Sequence, residues 1–479
     1  MKKKKLAKLF ISSPLDHDGH AICVMAMYPK LYRFSASIGW MVYTDGYWST
    51  NRAEASLKRA VTKTLRHRIA AINAIDGLEP KVRRAMVGAC AVASNRVISI
   101  MSLLKSMTGV DTLAEEMDTH LTLFNCKNGV IDLKSGELLP HSPDFLFTHR
   151  SEVDYSADAK CDVWDAFLDS LGMDDETLKY LQLTAGYTLT GLTDEEVMFY
   201  LYGATRTGKG TYTNALLGIC GKHGQGTNFR TFTVSRNNDT QNFDLAILSK
   251  KRFISASESK RNERINAAVF KQVTGGDPVF AAFKGKDGFS FIPQWKVALS
   301  SNYPLNADPM DNAVWARVRV IKFNSSKLGK EDKSLKRKLS TDEAKQGILA
   351  WAVRGAMEWS LNGLGYPDKI ANSTNKMRLE ASSVLLFIDN CCSLRAGVRS
   401  DGKALYQAYI EWAQSEGWKP YGRKTFTQGL EQVGCTVSVS NEPGLPSVRY
   451  YTNMEYLGTG NGDQTITRRI ESGILVTYT

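Results

Sequence analysis

Residues 196–217 constrain this chain more than any other stretch. An apolar run from Val197 to Tyr202 reads as a buried strand, a glycine-bounded turn covers 203–208, and Lys209 opens a segment with helical spacing. Strand, turn and helix in that order place a phosphate-binding loop in an α/β fold. Gly203 and Gly208 permit the backbone geometry that turns successive N–H groups toward a phosphate chain, the helix adds its positive dipole end, and Lys209 reaches the terminal phosphates. The candidate ligand-binding set is Gly203, Ala204, Thr205, Arg206, Thr207, Gly208, Lys209, Gly210, Thr211 and Tyr212. Gly210 stands where the common pattern has a hydroxyl, and Thr211 follows one place later, which leaves the metal-binding hydroxyl open. A glycine turn without any ligand would use some of the same residues, but not the lysine at this spacing.

At 479 residues the chain has room for about three domains. Its formal net charge of +12 favours a polyanionic partner. The eight cysteines are scattered without a Cys-x-x-Cys pair, which suggests reduced thiols in a cytoplasm and neither a disulfide framework nor a zinc finger. Nothing approaches the length of a membrane span, and the basic start at Lys2 to Lys5 reads as a frayed terminus or a nucleic-acid contact.

Residues 10–50 alternate apolar and polar positions around Asp18-Gly19 and Asp45-Gly46, predicting short strands. Leu57, Val61, Leu65, Ile69 and Ile72 predict a helix, and a second runs through Met86 and Val97 to Leu104. His17 and His20 lack partners at ligand spacing and read as part of a polar turn. Strands and turns return over 121–160, then helices around 164–171 and 178–183 lead into the loop strand.

Beyond the loop, residues 251–258 form a strand ending in Glu258, placed to activate water and help hold a hydrated metal. A second strand ends at Asn302, which could contact a terminal phosphate. Each is weak alone, since an acid or an Asn at a strand end is commonly a surface or turn residue. Lys284 and Lys286, flanked by Phe283 and Phe289, suit a hairpin tip on a sugar-phosphate backbone, or a solvated turn. Arg317 and Arg319 lie on one side of a predicted strand. An arginine offered to a neighbour's nucleotide accelerates hydrolysis by roughly 10³ to 10⁵. Ile348, Leu349, Ala352, Val353, Ala356, Met357 and Leu361 predict a core helix. The last part predicts helices at Leu405, Tyr409 and Trp412 and at Phe426, Leu430 and Val433, then strands over 435–439 and 448–452 around the turn at 441–444. That order suggests a winged helix, with Arg423 and Lys424 placed for phosphate or groove contacts, although such modules also dock proteins.

The ordered set resembles the superfamily 3 helicases of the phage/plasmid primase-helicase group, related to poxvirus primase-helicases. The resemblance runs from about Asp16 to Tyr451 through Asp45-Gly46-Tyr47-Trp48, Asn128-Gly129-Val130-Ile131-Asp132-Leu133, Thr184-Ala185-Gly186-Tyr187-Thr188-Leu189-Thr190-Gly191, the loop, Ser257-Glu258, Thr274-Gly275-Gly276-Asp277 and Asn302. It implies an AAA+-like P-loop motor using ATP and Mg²⁺, with Lys209 and Thr211 on the nucleotide and metal, Glu258 as the metal-side acid and Asn302 as sensor. It further implies Lys284 and Lys286 in a DNA channel, Arg317 or Arg319 as a trans-acting finger, hexameric rings, and 3′ to 5′ movement on single-stranded or forked DNA beside a separate primase or polymerase. Ala316, Ala282 and Gly285 depart from the pattern. The stretch before Asp16 is too short for a primase-polymerase domain, so no primase activity is expected of it.

The resulting expectation is an α/β protein with an N-terminal accessory domain over 1–115, a linker and helical collar over 116–195, the motor over 196–368, a winged helix over 369–460 and a tail over 461–479. Its expected role is a replicative helicase of a phage or mobile element in a bacterial cytoplasm. The alternatives are an origin-melting initiator and a nucleotide-gated structural ring.

Overall fold

A computed structural model gives the structure of residues 2–234, 238–257, 263–283, 288–325, 332–440 and 447–462. The chain forms two compact units, one of Met1–Asp132 with Glu137–Tyr155, the other of Leu133–Gly136 with Ser156–Thr479.

The first unit opens with helices α1 (Lys2–Ser12) and α2 (His17–Met27), then an antiparallel meander of β1 (Tyr32–Ser35), β2 (Gly39–Thr44) and β3 (Tyr47–Ser49). The strands read over residues 10–50 therefore begin only at Tyr32. The reason is local: the Asp16 carboxylate accepts the Gly19 N–H at 2.8 Å, so Asp18 and Gly19 form the capped first turn of α2 rather than a hairpin. Asp45 and Gly46 do form the β2–β3 turn, both at positive φ (49° and 82°). The long helix α3 (Ala53–Asn73) buries Leu57, Val61, Leu65 and Ile72 as its spacing predicts. The second predicted helix is two, α4 (Pro80–Ala89) and α5 (Ser94–Leu104), separated where Ala93 is extended. A second antiparallel sheet comprises β4 (Leu123–Cys126), β5 (Gly129–Asp132) and β6 (Leu138–Leu139).

Arg68 of α3 is wholly buried and ties this unit together. Its guanidinium donates to the carbonyls of Phe10, Ser13 and Pro14 at 2.7–3.1 Å and to Nδ1 of His20 at 2.7 Å. Since guanidinium can only donate, Nδ1 must accept and Nε2 carries the proton that it gives to the Ala89 carbonyl at 3.1 Å. Burial and the Arg68 charge depress the His20 pKa to about 4. His20 is thus a neutral core histidine, not a turn residue or a metal ligand.

The second unit begins with α6 (Asp162–Asp169) and α7 (Asp175–Leu189) and is built on five parallel strands: β7 (Met198–Tyr202), β8 (Gly224–Asn228), β9 (Phe253–Ser257), β12 (Lys296–Ser301) and β13 (Val318–Lys322). They stand in the order β13-β7-β12-β9-β8. Between them come α8 (Lys209–Cys220), α9 (Asn238–Leu248), α10 (Ala267–Thr274), the antiparallel hairpin of β10 (Val279–Ala282) and β11 (Gly288–Phe291), and α11 (Asn312–Arg317). Alternate residues Met198 and Tyr200, Ile254 and Ala256, Val297 and Leu299, and Val318 and Val320 share one face, packed on Phe229, Phe232, Leu245, Phe270 and Trp315.

After the sheet come the short α12 (Leu335–Lys338), the core helix α13 (Asp342–Asn362) packed along α7, and α14 (Asp368–Glu380) against β13; Leu361, read as core, is exposed in the last turn of α13. The end comprises α15 (Ser383–Cys391), β14 (Cys392–Ser393), β15 (Arg399–Asp401), α16 (Gly402–Ser415), α17 (Arg423–Gln432), β16 (Thr436–Ser440), β17 (Val448–Thr452) and β18 (Glu455–Tyr456). Strands β15, β17 and β16 make an antiparallel sheet over α16 and α17, and β14 pairs with β18. Among the described residues no single helix is long and apolar enough to cross a membrane.

Candidate functional site

The candidate site lies at the carboxyl edge of the parallel sheet, the edge at which open α/β sheets receive ligands. Register brings three strand ends together there: Tyr202 is level with Ser301 of β12 and with Lys322 of β13. The loop leaving β7 is pinned on both sides, by the Gly203 N–H on the Ser301 carbonyl and by the Phe323 N–H on the Tyr202 carbonyl. A Cβ on Gly203 would lie 2.1 Å from the Phe323 carbonyl oxygen, so the strand pairing itself demands glycine. Gly208 takes φ +99° at the N-cap of α8, where a Cβ would press on Leu171 at 2.7 Å.

Lys209 is 7 % exposed and turns back over the loop. Its ammonium donates to the carbonyls of Gly203 (2.6 Å) and Ala204 (2.7 Å), to the Thr207 hydroxyl (3.2 Å) and to Oδ1 of Asn302 (3.1 Å). All four acceptors are neutral, and desolvation holds the lysine pKa below its ordinary value. Asn302 completes the bridge by donating from Nδ2 to the Thr205 hydroxyl at 3.2 Å. Its turn is fixed by the Tyr303 N–H on the Ser301 hydroxyl (2.9 Å) and by the Tyr200 hydroxyl on the Tyr303 carbonyl (2.8 Å). A cation held by neutral acceptors, beside the amino end of a helix of twelve residues, is an arrangement that can accept an oxyanion.

The other candidates divide. Gly210 and Thr211 occupy the first turn of α8, and a Cβ on Gly210 would meet nothing within 4 Å. Arg206 adopts φ 64° in the loop, and Thr207 also donates to the Ala204 carbonyl at 3.0 Å. Tyr212 points away, its ring near Trp164 and its hydroxyl donating to the Leu181 carbonyl at 2.8 Å, which makes it part of the α7–α8 packing. Strand β9 ends at the same edge, with Ser257 level with Ser300. Glu258, Lys284 and Lys286 lie outside the described residues, as do the turn at 441–444 and residues 463–479. Phe283 and Phe289 flank the hairpin tip, stacked with centroids 5.6 Å apart.

Arg317 and Arg319 are at the opposite edge. The predicted strand over 315–321 starts only at Val318, because Asp311 caps α11 by accepting the Val314 N–H and so makes 312–317 helical. Val318 is level with Met198, five residues before the loop, a separation of roughly 16 Å at about 3.3 Å per residue. Arg317 pairs with Glu196 at 2.6 Å, while Arg319 lies over the Tyr366 ring at 4.1 Å and donates to the Ala316 carbonyl at 2.7 Å. Arg423 and Lys424 are exposed at the start of α17, with Arg423 4.8 Å from the Tyr406 ring centroid. The other end of α17 reaches the sheet unit: Gln432 donates to the Met310 carbonyl at 3.0 Å, beside Arg378 on the Pro309 carbonyl at 2.8 Å.

Sequence reasoning missed two buried cations of this unit, as it missed Arg68 of the first. Lys296 and Arg252, each 2 % exposed, start β12 and precede β9. Lys296 donates to the carbonyls of Thr190 and Leu192, and Arg252 to that of Leu189, so they cap the carboxyl end of α7. A lone Lys before an apolar strand was the available signal.

Residues 21–171 match the family described as D5 N terminal like, and residues 201–317 match a family of unknown function, DUF5906. The protein named "Putative helicase L207/L206" of Acanthamoeba polyphaga mimivirus is 26% identical over 325 residues, covering 62% of this chain and 34% of the relative. "Putative helicase 184R" of Invertebrate iridescent virus 6 is 27% identical over 243 residues, covering 48% and 25%. The chain thus spans about a third or less of the length of these curated relatives. The apo A form of the NrS-1 C terminal region aligns over 64% of this chain and 80% of that one, at 14% identity and a TM-score of 0.40. The family and sequence likenesses support a D5-like, helicase-related protein, and the mixed α/β fold is seen in the parallel sheet itself.

Proposed function

We propose that this chain is an ATP-dependent DNA helicase of the superfamily 3 type, from a phage or mobile element of a bacterial host, working as a hexameric ring. The observation that carries the reading is the Lys209–Asn302 junction, where a buried ammonium held by neutral acceptors meets a glycine-bounded loop and a helix amino end. Those residues fit a nucleoside triphosphate: the loop leaves no room for a side chain at Gly203 or Gly208, and its buried charge has the sign that phosphate needs. In this reading Lys209 neutralises phosphate charge, Asn302 orients the terminal phosphate or water, and Glu258 accepts the proton of the water. Mg²⁺, with Thr211 and Glu258 beside it, would supply further charge neutralisation at the phosphates. In this reading Arg317, at the amino edge of the sheet away from its own loop, would serve the nucleotide of a neighbouring copy. Lys284 and Lys286 would grip single-stranded or forked DNA and move along it 3′ to 5′, while the α16–α17 segment would act as a winged helix with Arg423 and Lys424 toward DNA. A separate primase or polymerase would extend the unwound strand.

The test is ATP turnover with and without single-stranded DNA, comparing wild type with Glu258→Gln and with Lys284→Ala/Lys286→Ala. DNA-stimulated turnover, abolished by the first change and stripped of stimulation by the second, is the expected result. Nucleotide binding with a negligible rate that DNA leaves unchanged would sink the motor reading. It would favour the structural-ring alternative, for which the missing hydroxyl at Gly210 is the specific observation. Stimulated turnover without strand displacement on forked substrates would indicate an origin-melting initiator.

A further inference from the structure

The net charge of +12 is not spread along the chain. Residues 1–110 contain 18 Lys and Arg against 6 Asp and Glu, and residues 111–479 contain 43 of each, so the entire excess lies in the first part. Its clearest expression is on α3. No acidic residue stands between Glu54 and Asp76, and Arg59, Lys63 and Arg66 recur at i, i+4 and i+7, all exposed. That spacing puts them in one stripe directly opposite the face that buries Leu57, Val61 and Leu65. None of the three enters an ion pair among the described residues, and Lys5 and Lys8 are exposed on α1, which packs along α3. Beneath the stripe, the Arg68 guanidinium is held by the carbonyls of Phe10, Ser13 and Pro14 and the ring of His20, so its hydrogen-bond partners among the described residues leave its charge in place.

We propose that this face of α1 and α3 docks on the phosphate backbone of duplex DNA, as a contact separate from the sheet-edge site and from the segments at 284–286 and 423–424. The stripe spans about 10 Å at 1.5 Å rise per residue. Phosphates on one strand of the duplex follow at about 3.4 Å of axis, so three cations can meet about three successive phosphates. A duplex rather than a single strand fits because the face offers no exposed Phe, Tyr or Trp ring for base stacking. Phe10 is 5% exposed, its ring is stacked against His67, and neither α1 nor α3 carries another Phe, Tyr or Trp. Recognition through phosphates alone is independent of sequence.

The test uses the full chain without nucleotide and a blunt, fluorescently labelled duplex of about 25 base pairs, titrated at several KCl concentrations. Arg59→Gln/Lys63→Gln/Arg66→Gln should weaken binding on the order of a hundredfold near 0.1 M salt and flatten the log–log salt slope by about 2.7, at about 0.9 per phosphate contact. The charge-preserving variant Arg59→Lys/Lys63→Arg/Arg66→Lys should restore both, which separates lost charge from lost fold. Lys209→Ala should keep duplex affinity, so a failure of the motor reading leaves this result standing. Unchanged affinity and slope in the neutral variant would overturn the proposal. So would a loss confined to single-stranded oligonucleotide, or one confined to phosphatidylserine vesicles.

Discussion

Replacing Asn302 by aspartate should stabilise the apo protein slightly and cripple nucleotide binding, two effects of opposite sign from one atom pair. The new carboxylate would take the place of Oδ1, 3.1 Å from the Lys209 ammonium. At an effective dielectric constant of about 20 that is about 5 kcal/mol of Coulomb attraction. Asn302 is exposed, so solvent and side-chain ordering reduce the net gain to about 0–1 kcal/mol. A phosphate must then displace that ion pair and tolerate a negative neighbour. Exchanging one charge-assisted hydrogen bond for another, at about 1.5–3 kcal/mol, weakens binding by roughly ten- to a hundredfold. Asn302→Ala, which leaves Lys209 with Gly203, Ala204 and Thr207, should change affinity by less than about fivefold, a shift under about 1 kcal/mol. Thermal unfolding without ligand and titration with a fluorescent ATP analogue measure both quantities. An Asn302→Asp variant that keeps its fold and wild-type ATP affinity would show that Lys209 and Asn302 do not face the nucleotide.

Further outcomes follow from single contacts. Gly203→Ala drives a methyl to 2.1 Å from the Phe323 carbonyl oxygen, so it should cost about 1–3 kcal/mol, read as a lower unfolding midpoint in urea. Gly210→Ser meets open space inside a helix, so stability should hold or rise by a few tenths of a kcal/mol, and ATP turnover should saturate at lower Mg²⁺. His20 is neutral when folded, with its pKa depressed from 6.5 to about 4, so the unfolded chain takes up the proton first and stability rises with pH between those values. Up to about 3 kcal/mol should be lost as pH falls from about 6.5 to 4, and His20→Gln should flatten that slope in pH-dependent unfolding. Arg317→Ala should leave nucleotide affinity intact but lower turnover on the order of 10³-fold, and mixing it with Lys209→Ala should restore part of the rate if the arginine acts across subunits.

What the sequence alone determined is the set of elements whose pattern is local. The strand–turn–helix around Lys209 follows from an apolar run, two glycines and helical spacing, and α3 and α13 follow from apolar stripes at the helical period. Asn302 was legible as a polar residue at a strand end, but not its partner. Local caps defeated the pattern twice. Asp16 caps α2 where the sequence alternates, and Asp311 caps α11 where a strand was expected, because a side-chain oxygen on an orphan N–H favours a helix start.

Only the tertiary structure decided which distant residues meet. Parallel register put Asn302, 93 residues from Lys209, on its ammonium, and the same register carried Arg317 to the far edge, where it pairs with Glu196. Burial, too, is invisible to periodicity: Arg68, Arg252 and Lys296 carry no local signal of it, yet each lies in the core because backbone carbonyls from another segment accept its hydrogen bonds. Local propensity is a sum over neighbours in sequence, whereas desolvating a cation is tolerated only where the fold has already assembled its acceptors, and that assembly is a property of the whole unit.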